Sequence, residues 1–213
     1  MYTFLKKYGE IKNLGGRNTL NYLEKRILED GIVKPGNVLK VDSFLNHQID
    51  PIVMEEVVNE FLEYFGDRKI TKVITIEASG IAPAIMLAAK LKVPMLFAKK
   101  TEPSTLKNNE RYETNVHSYT KNLTSKVIIS KEYIEEDDSV LIIDDFLANG
   151  QAVMGLVDLV RQAGAEVAGV GICIEKSFQP GHQLIEDSGI DIYSICRIAS
   201  LENEEVTFLK ENN

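Results

Sequence analysis

Val140-Leu141-Ile142-Ile143-Asp144-Asp145-Phe146-Leu147-Ala148-Asn149-Gly150-Gln151-Ala152 is the stretch on which the fold turns. Four consecutive aliphatics read as a strand buried on both faces, the pattern of a parallel sheet covered by helices. Two carboxylates then stand at its C-terminal end. A run of small residues leads from them into a helix predicted over about 151–162 and closed by Gly164. In an open parallel sheet the C-terminal strand ends open into the ligand crevice. Free backbone N–H groups at a helix start favour an anion, best a phosphate, and small residues at Ala148, Gly150 and Ala152 let it approach the backbone. Taken alone, an Asp-Asp pair reads as readily as two solvated residues capping an edge strand. Four aliphatics before it and a small-residue helix start after it favour a ligand site.

Outward from this segment the alternation of elements repeats. Val167–Ile174 is the next strand. Upstream, Lys72–Ile76 is a β-branched run, Ile81–Lys90 a helix and Val93–Phe97 a further strand. Two strand–helix–strand units imply an α/β fold, a central mainly parallel sheet with right-handed crossovers and helices on both faces. Nearer the N-terminus, Leu20, Leu23, Ile27 and Leu28 share one helical face ended by Gly31 as a C′ glycine, and Pro35-Gly36 is a turn. Asp50 is placed to cap a helix opening at Pro51, with Val53, Val57, Phe61, Leu62 and Phe65 inward and Gly66 at its end. Residues 101–115 are polar and aperiodic and read as a flexible loop. Val116–Thr120 and Lys126–Ser130 follow as a hairpin. Residues 1–18, locally basic and punctuated by Gly15-Gly16, read as a separate disordered extension. A single domain then occupies 19–213, with a small N-terminal hood over about 19–66.

Composition narrows the function classes. A chain of 213 residues, 44% hydrophobic and 26% charged, is ordinary globular protein, and at this size roughly 70% of the unfolded surface is buried on folding. Lys plus Arg number 24 against 32 Asp plus Glu, a net charge of -8. That disfavours non-specific nucleic-acid binding, which depends on cations at phosphates. Cys173 and Cys196 lie in apolar runs and read as reduced core thiols. The N-terminus lacks a secretory signal pattern, and the longest nearly apolar run, Ile81–Ala89, is interrupted by Pro83 and about half a membrane span. A soluble cytoplasmic protein is expected. His47, His117 and His182 have no metal-ligand spacing; His47 is placed near the site, and the other two are expected at the surface.

A second strand-to-helix crossing, Glu77-Ala78-Ser79-Gly80, offers another anion cradle, with a plain N-cap serine as the simpler alternative. Lys99 and Lys100 end the strand that follows. Adjacent lysines are usually solvated, but this placement favours phosphate contact. Phosphate beside paired carboxylates describes a ribose 5-phosphate. At this point the sequence resembles a known family: Ile142-Ile143-Asp144-Asp145-Phe146-Leu147-Ala148-Asn149-Gly150 is similar to the phosphoribosyl diphosphate signature of type I phosphoribosyltransferases. Leu39–Pro51, Glu77–Pro83 and Ile174–Gly181 together resemble the bacterial members that act on xanthine, from about Leu20 to Leu209.

The resemblance implies transfer of 5-phosphoribose from 5-phospho-α-D-ribose 1-diphosphate (PRPP) to N9 of xanthine, giving XMP and diphosphate in purine salvage. It assigns Ala148, Asn149, Gly150, Gln151 and Ala152 to the 5-phosphate and Asp144 and Asp145 to the ribose hydroxyls. Glu77, Ala78, Ser79 and Gly80 form the diphosphate loop, where the family often has a cis peptide. Lys99 and Lys100 would meet the departing charge, and Lys107 and Arg111 in the loop could join them. Leu39, Asn46, Lys176 and Phe178 would hold the purine, an amide and an ammonium being suited to its carbonyls. Mg²⁺ would come with PRPP, with Asp144 and Asp145 as its possible protein contacts, and a homodimer is implied. Hypoxanthine or guanine as preferred base is the near alternative. A PRPP-responsive transcription regulator is the distant one, disfavoured by the charge and by an extension too short for a helix-turn-helix.

Overall fold

The computed structural model describes residues 20–101, 108–118 and 123–209; residues 1–18 and Lys107 lie outside them. Helix α1 (Tyr22–Asp30) is followed by β1 (Ile32–Lys34), β2 (Val38–Lys40), a π-helical turn (Asp42–Asn46) and α2 (Pro51–Phe65). Next come β3 (Lys72–Ile76), α3 (Ile81–Leu91), β4 (Met95–Ala98), β5 (Arg111–Ser118) and β6 (Leu123–Ser130). The chain continues through β7 (Ser139–Leu147), α4 (Gln151–Gln162), β8 (Glu166–Lys176), α5 (Gly181–Asp187), β9 (Ile192–Ser200) and β10 (Thr207–Phe208).

Six strands form the main sheet in the order β10-β9-β8-β7-β3-β4, with only β10 antiparallel to its neighbour. From β3 the chain crosses by α3 to β4 on one side; from β7 it crosses by α4 to β8 on the other. The order therefore reverses between β3 and β7, and a crevice opens at their C-terminal ends. Val73, Leu141, Ile143 and Cys173 face a layer of α1, α2 and α3. Ile74, Val140, Ile142, Val170 and Ile172 face α4, α5 and the β5–β6 hairpin. Both faces are covered, which is why β3 and β7 are aliphatic without alternation, and both cysteines are buried in the core.

Local rules hold where the signal is local. Asp50 caps α2, accepting from the Ile52 and Val53 N–H groups at 2.9 and 3.4 Å. Elsewhere the structure corrects the reading. Helix α1 starts at Tyr22, because Asn21 and Glu24 form a reciprocal capping box that leaves Leu20 ahead of it. Gly31 has φ -72° and leads extended into β1, so it is no left-handed terminator. Met54 and Val58 are buried in α2, whereas Leu62 is half-buried.

The polar stretch after Thr101 is not aperiodic throughout. It becomes β5 at Arg111, paired with Ser130 of β6. Glu113 and Asn115 face out, while Thr114 and Val116 rest on α4 at Gly155, where a Cβ would collide with the Val116 side chain. Strand β7 runs on to Leu147, so Asp144 and Asp145 lie within it rather than beyond it.

Candidate active site

Two loops meet at the reversal point. Between β3 and α3 the Glu77–Ala78 peptide bond is cis. A Cβ on Gly80 would run into the Thr75 hydroxyl and approach Asp144 Oδ1 to 2.9 Å. The diphosphate-loop candidate and the aspartate pair are thus in contact, and only glycine permits it. Beneath them the Thr75 hydroxyl is buried without a hydrogen-bond partner among the described residues. Glu77 accepts the Lys100 backbone N–H at 2.6 Å, which pins the end of β4 to the loop. Lys99 exchanges backbone hydrogen bonds with Ile128 at 2.9 and 3.0 Å, and its ammonium lies over the Phe97 ring. Of the two lysines, the structure therefore brings Lys100 to the loop.

Asp144 and Asp145 are only 5% and 7% exposed. A solvated pair capping an edge strand is excluded, since β7 is central in the sheet. Asp144 Oδ1 accepts the Asp145 backbone N–H at 3.0 Å. Burial, and next the Asp145 charge, push the Asp144 carboxyl well above the usual carboxylate range, with Lys100 opposing in part. Among the described residues no salt bridge reaches either aspartate. A hydroxyl donor or a cation at this point would relieve the cost of burying the pair.

Ala148–Gly150 lead into α4, whose start carries no side-chain cap, so its first-turn N–H groups are available to an anion. Gly150 has φ +78°, a conformation that favours glycine. Its small size has a second cause: Gly181, the first residue of α5, donates its N–H to the Ala148 carbonyl at 3.0 Å, and a Cβ on Gly150 would sit 3.1 Å from Gly181 Cα. Packing against α5 demands these small residues as much as a phosphate would.

Among the residues expected to hold the purine, Lys176 Nζ donates to the Asn37 carbonyl at 2.9 Å, joining the end of β8 to the β1–β2 turn. Partial burial lowers its pKa. Leu39 is buried on β2, and Asn46 ends the π-helical turn with its Oδ1 buried and without a partner among the described residues. Phe178 is 39% exposed, free to cover a ligand by stacking.

Two sequence expectations fail. Arg111 is buried at the start of β5 and donates to Glu113 at 3.0 Å, so it is part of the hairpin. His182 is not a plain surface residue; its Nδ1 pairs with Glu175 at 2.7 Å. That pairing belongs to a cluster around Glu175 that sequence reasoning missed, its only trace being an acid at the end of an otherwise apolar strand.

The phosphoribosyl transferase domain family matches residues 41–199. A xanthine phosphoribosyltransferase of Macrococcus caseolyticus (strain JCSC5402) is 59% identical over 189 residues, covering 89% of this chain and 97% of that protein. The chain belongs to the phosphoribosyltransferase family. This phosphoribosyltransferase is also 56% identical over 192 residues to a xanthine phosphoribosyltransferase of Staphylococcus aureus (strain MRSA252), covering 90% of this chain and all of that protein. Its fold is shared with the adenine phosphoribosyltransferase of Trypanosoma brucei in complex with AMP, pyrophosphate and ribose-5-phosphate. There the TM-score is 0.68 at 18% identity, over 81% of this chain and 78% of that one. The adenine phosphoribosyltransferase of Thermoanaerobacter pseudethanolicus gives a TM-score of 0.60 at 25% identity, over 68% and 81%. The type I phosphoribosyltransferase fold expected from the sequence is present. No helix among the described residues is long and apolar enough to cross a membrane.

Proposed function

We propose that this phosphoribosyltransferase moves the 5-phosphoribosyl group of PRPP to N9 of xanthine. The C1–oxygen bond to diphosphate breaks, the C1–N9 bond forms, the N9 proton passes to solvent, and XMP and diphosphate are released. The observation that carries this reading is the contact of the Gly80 loop with Asp144 at the point where strand order reverses. It supports reading Asp144 and Asp145 as a diol-binding pair lying between two helix starts that carry no side-chain cap. The near relatives named for xanthine supply the choice of base.

The residues divide the work by position. The Ala148–Ala152 backbone holds the 5-phosphate at the start of α4. Asp144 and Asp145 accept the ribose hydroxyls, and the negative charge carried by the pair favours the cationic sugar that develops as diphosphate departs. Glu77–Gly80 and Lys100 receive the departing charge. Lys176 donates to a xanthine carbonyl in place of Asn37, Asn46 pairs with the purine edge, Leu39 forms an apolar wall, and Phe178 stacks. No covalent nucleophile is required.

The donors fit a Mg²⁺ ion that arrives chelated by the sugar diphosphate. No three ligating side chains cluster among the described residues, but Asp144 and Asp145 offer two carboxylates, and Mg²⁺ bound through substrate phosphates needs few protein ligands. When bound, the ion spreads the negative charge of the leaving diphosphate. A homodimer working in the cytoplasm completes the proposal.

Specificity constants for xanthine, hypoxanthine, guanine and adenine, measured in competition, test it. Xanthine is expected to lead. A larger kcat/KM for hypoxanthine or guanine would move the assignment to that base.

A further inference from the structure

Glu175, the penultimate residue of β8, has a side chain that is 1% exposed. A carboxylate that deep needs several donors to remain ionised. Four reach it, from three segments of the chain. Ser177 Oγ donates at 2.5 Å and Arg197 Nε at 3.3 Å to Oε1. Ser194 Oγ donates at 2.5 Å and His182 Nδ1 lies at 2.7 Å from Oε2. Burial pushes the Glu175 carboxyl up, but the His182, Ser177 and Ser194 hydrogen bonds and the Arg197 charge outweigh it and bring its pKa to about 2. The same hydrogen bond raises His182.

The partners occupy telling places. Ser177 lies between Lys176 and Phe178, the two purine-side residues of this loop. His182 is the second residue of α5, directly after Gly181, whose N–H holds the Ala148 carbonyl of the phosphate loop. Along a strand successive side chains alternate in direction, so an inward Glu175 also fixes the outward aim of Lys176 toward the β1–β2 turn. Ser194 and Arg197 anchor the group to β9.

We infer that Glu175 is a positioning residue that joins the two substrate subsites: through Ser177 it sets the Lys176–Phe178 loop against the purine, and through His182 it sets α5 behind the Ala148–Gly150 phosphate loop. Glu175 touches neither substrate, and the role rests on the reading of those subsites given above. Its two arms are separable, because each donor leads to one subsite only.

Steady-state kinetics of single variants test the division. A hydrogen bond to a buried charge is worth about tenfold in an equilibrium. Ser177→Ala is therefore expected to raise KM for xanthine about tenfold and leave KM for PRPP within about twofold, and His182→Ala to do the reverse. Glu175→Gln is expected to raise both. Should Glu175→Gln fail to fold, the two single variants, at half-buried positions, decide the matter themselves. KM values within twofold of wild type in both, or both KM values rising together in each, would overturn the inference. Wild-type turnover with xanthine and PRPP is the control: its absence removes the subsite assignment and this inference with it, whereas active wild type with unchanged variants removes this inference alone.

Discussion

Glu175 and Asp144 are both buried carboxylates near the C-terminal ends of adjacent parallel strands, yet their surroundings drive them in opposite directions. Both have lost water; they differ in what replaced it. Glu175 has two serine hydroxyls, an imidazole and a guanidinium, and sits at about 2. Asp144 has a backbone N–H and a second carboxylate, and lies well above the usual range. Glu175 is a completed piece of scaffold. Among the described residues Asp144 lacks such a set of donors, which fits the proposal that its partner is a substrate. A buried acid is thus not one kind of object: the donors aimed at it distinguish support from site.

The sharpest way to break this contrast is Asp144→Asn/Asp145→Asn. Turnover is expected to fall by about a thousandfold or more, as for loss of preorganised electrostatic groups. Thermal stability is expected to rise. An acid whose folded pKa is raised adds stability only at low pH and loses it as pH climbs through the folded value, so at neutral pH removing the titrating group relieves the protein. Near-normal turnover, read by diphosphate release, would place the sugar elsewhere. Next comes Gly80→Ala, where the new methyl would displace the Thr75 hydroxyl or Asp144. A loss of about a hundredfold in kcat/KM is expected, since small misplacements at a reacting centre are costly.

Glu175→Gln sharpens the other side of the comparison. Leaving its cationic partners unmatched is expected to cost about 3 kcal/mol of stability, read by denaturant unfolding. The pH dependence has a definite sign. Glu175 falls from an ordinary 4.5 to about 2 on folding. Its contribution is therefore present above about 4.5 and lost as pH drops toward 2, so wild type should lose stability across that window more steeply than the variant. The smallest effect is expected from deleting residues 1–18, which should leave turnover unchanged; a large drop would make them part of the hood.

How much of this was legible follows from how far apart the causes lie in the chain. Asp50-Pro51 predicts the start of α2 because cap and helix are neighbours. The aliphatics before Asp144 predict a buried parallel strand because burial on both faces leaves no alternation to read. Arg111–Asn115 was not legible as a strand, because the surface that Thr114 and Val116 cover is Gly155 of α4, some forty residues away. The burial of Asp144 was hidden because β7 continues past the aspartates to Leu147, sustained by pairing with β8. Gly150 was legible as a small residue, but half the reason for it is Gly181. The Glu175 cluster could not be read, since its donors at 177, 182, 194 and 197 meet only when β8, α5 and β9 are packed.

The central claim is that the Asp144–Asp145 pair, with the helix start beside it, grips an activated ribose phosphate. Titration calorimetry with PRPP and Mg²⁺ tests it most directly. Wild type is expected to bind with a clear heat, Asp144→Asn/Asp145→Asn to give none, and Glu175→Gln to bind with reduced affinity. Equal affinity in wild type and the double aspartate variant, or no heat in wild type, would contradict it.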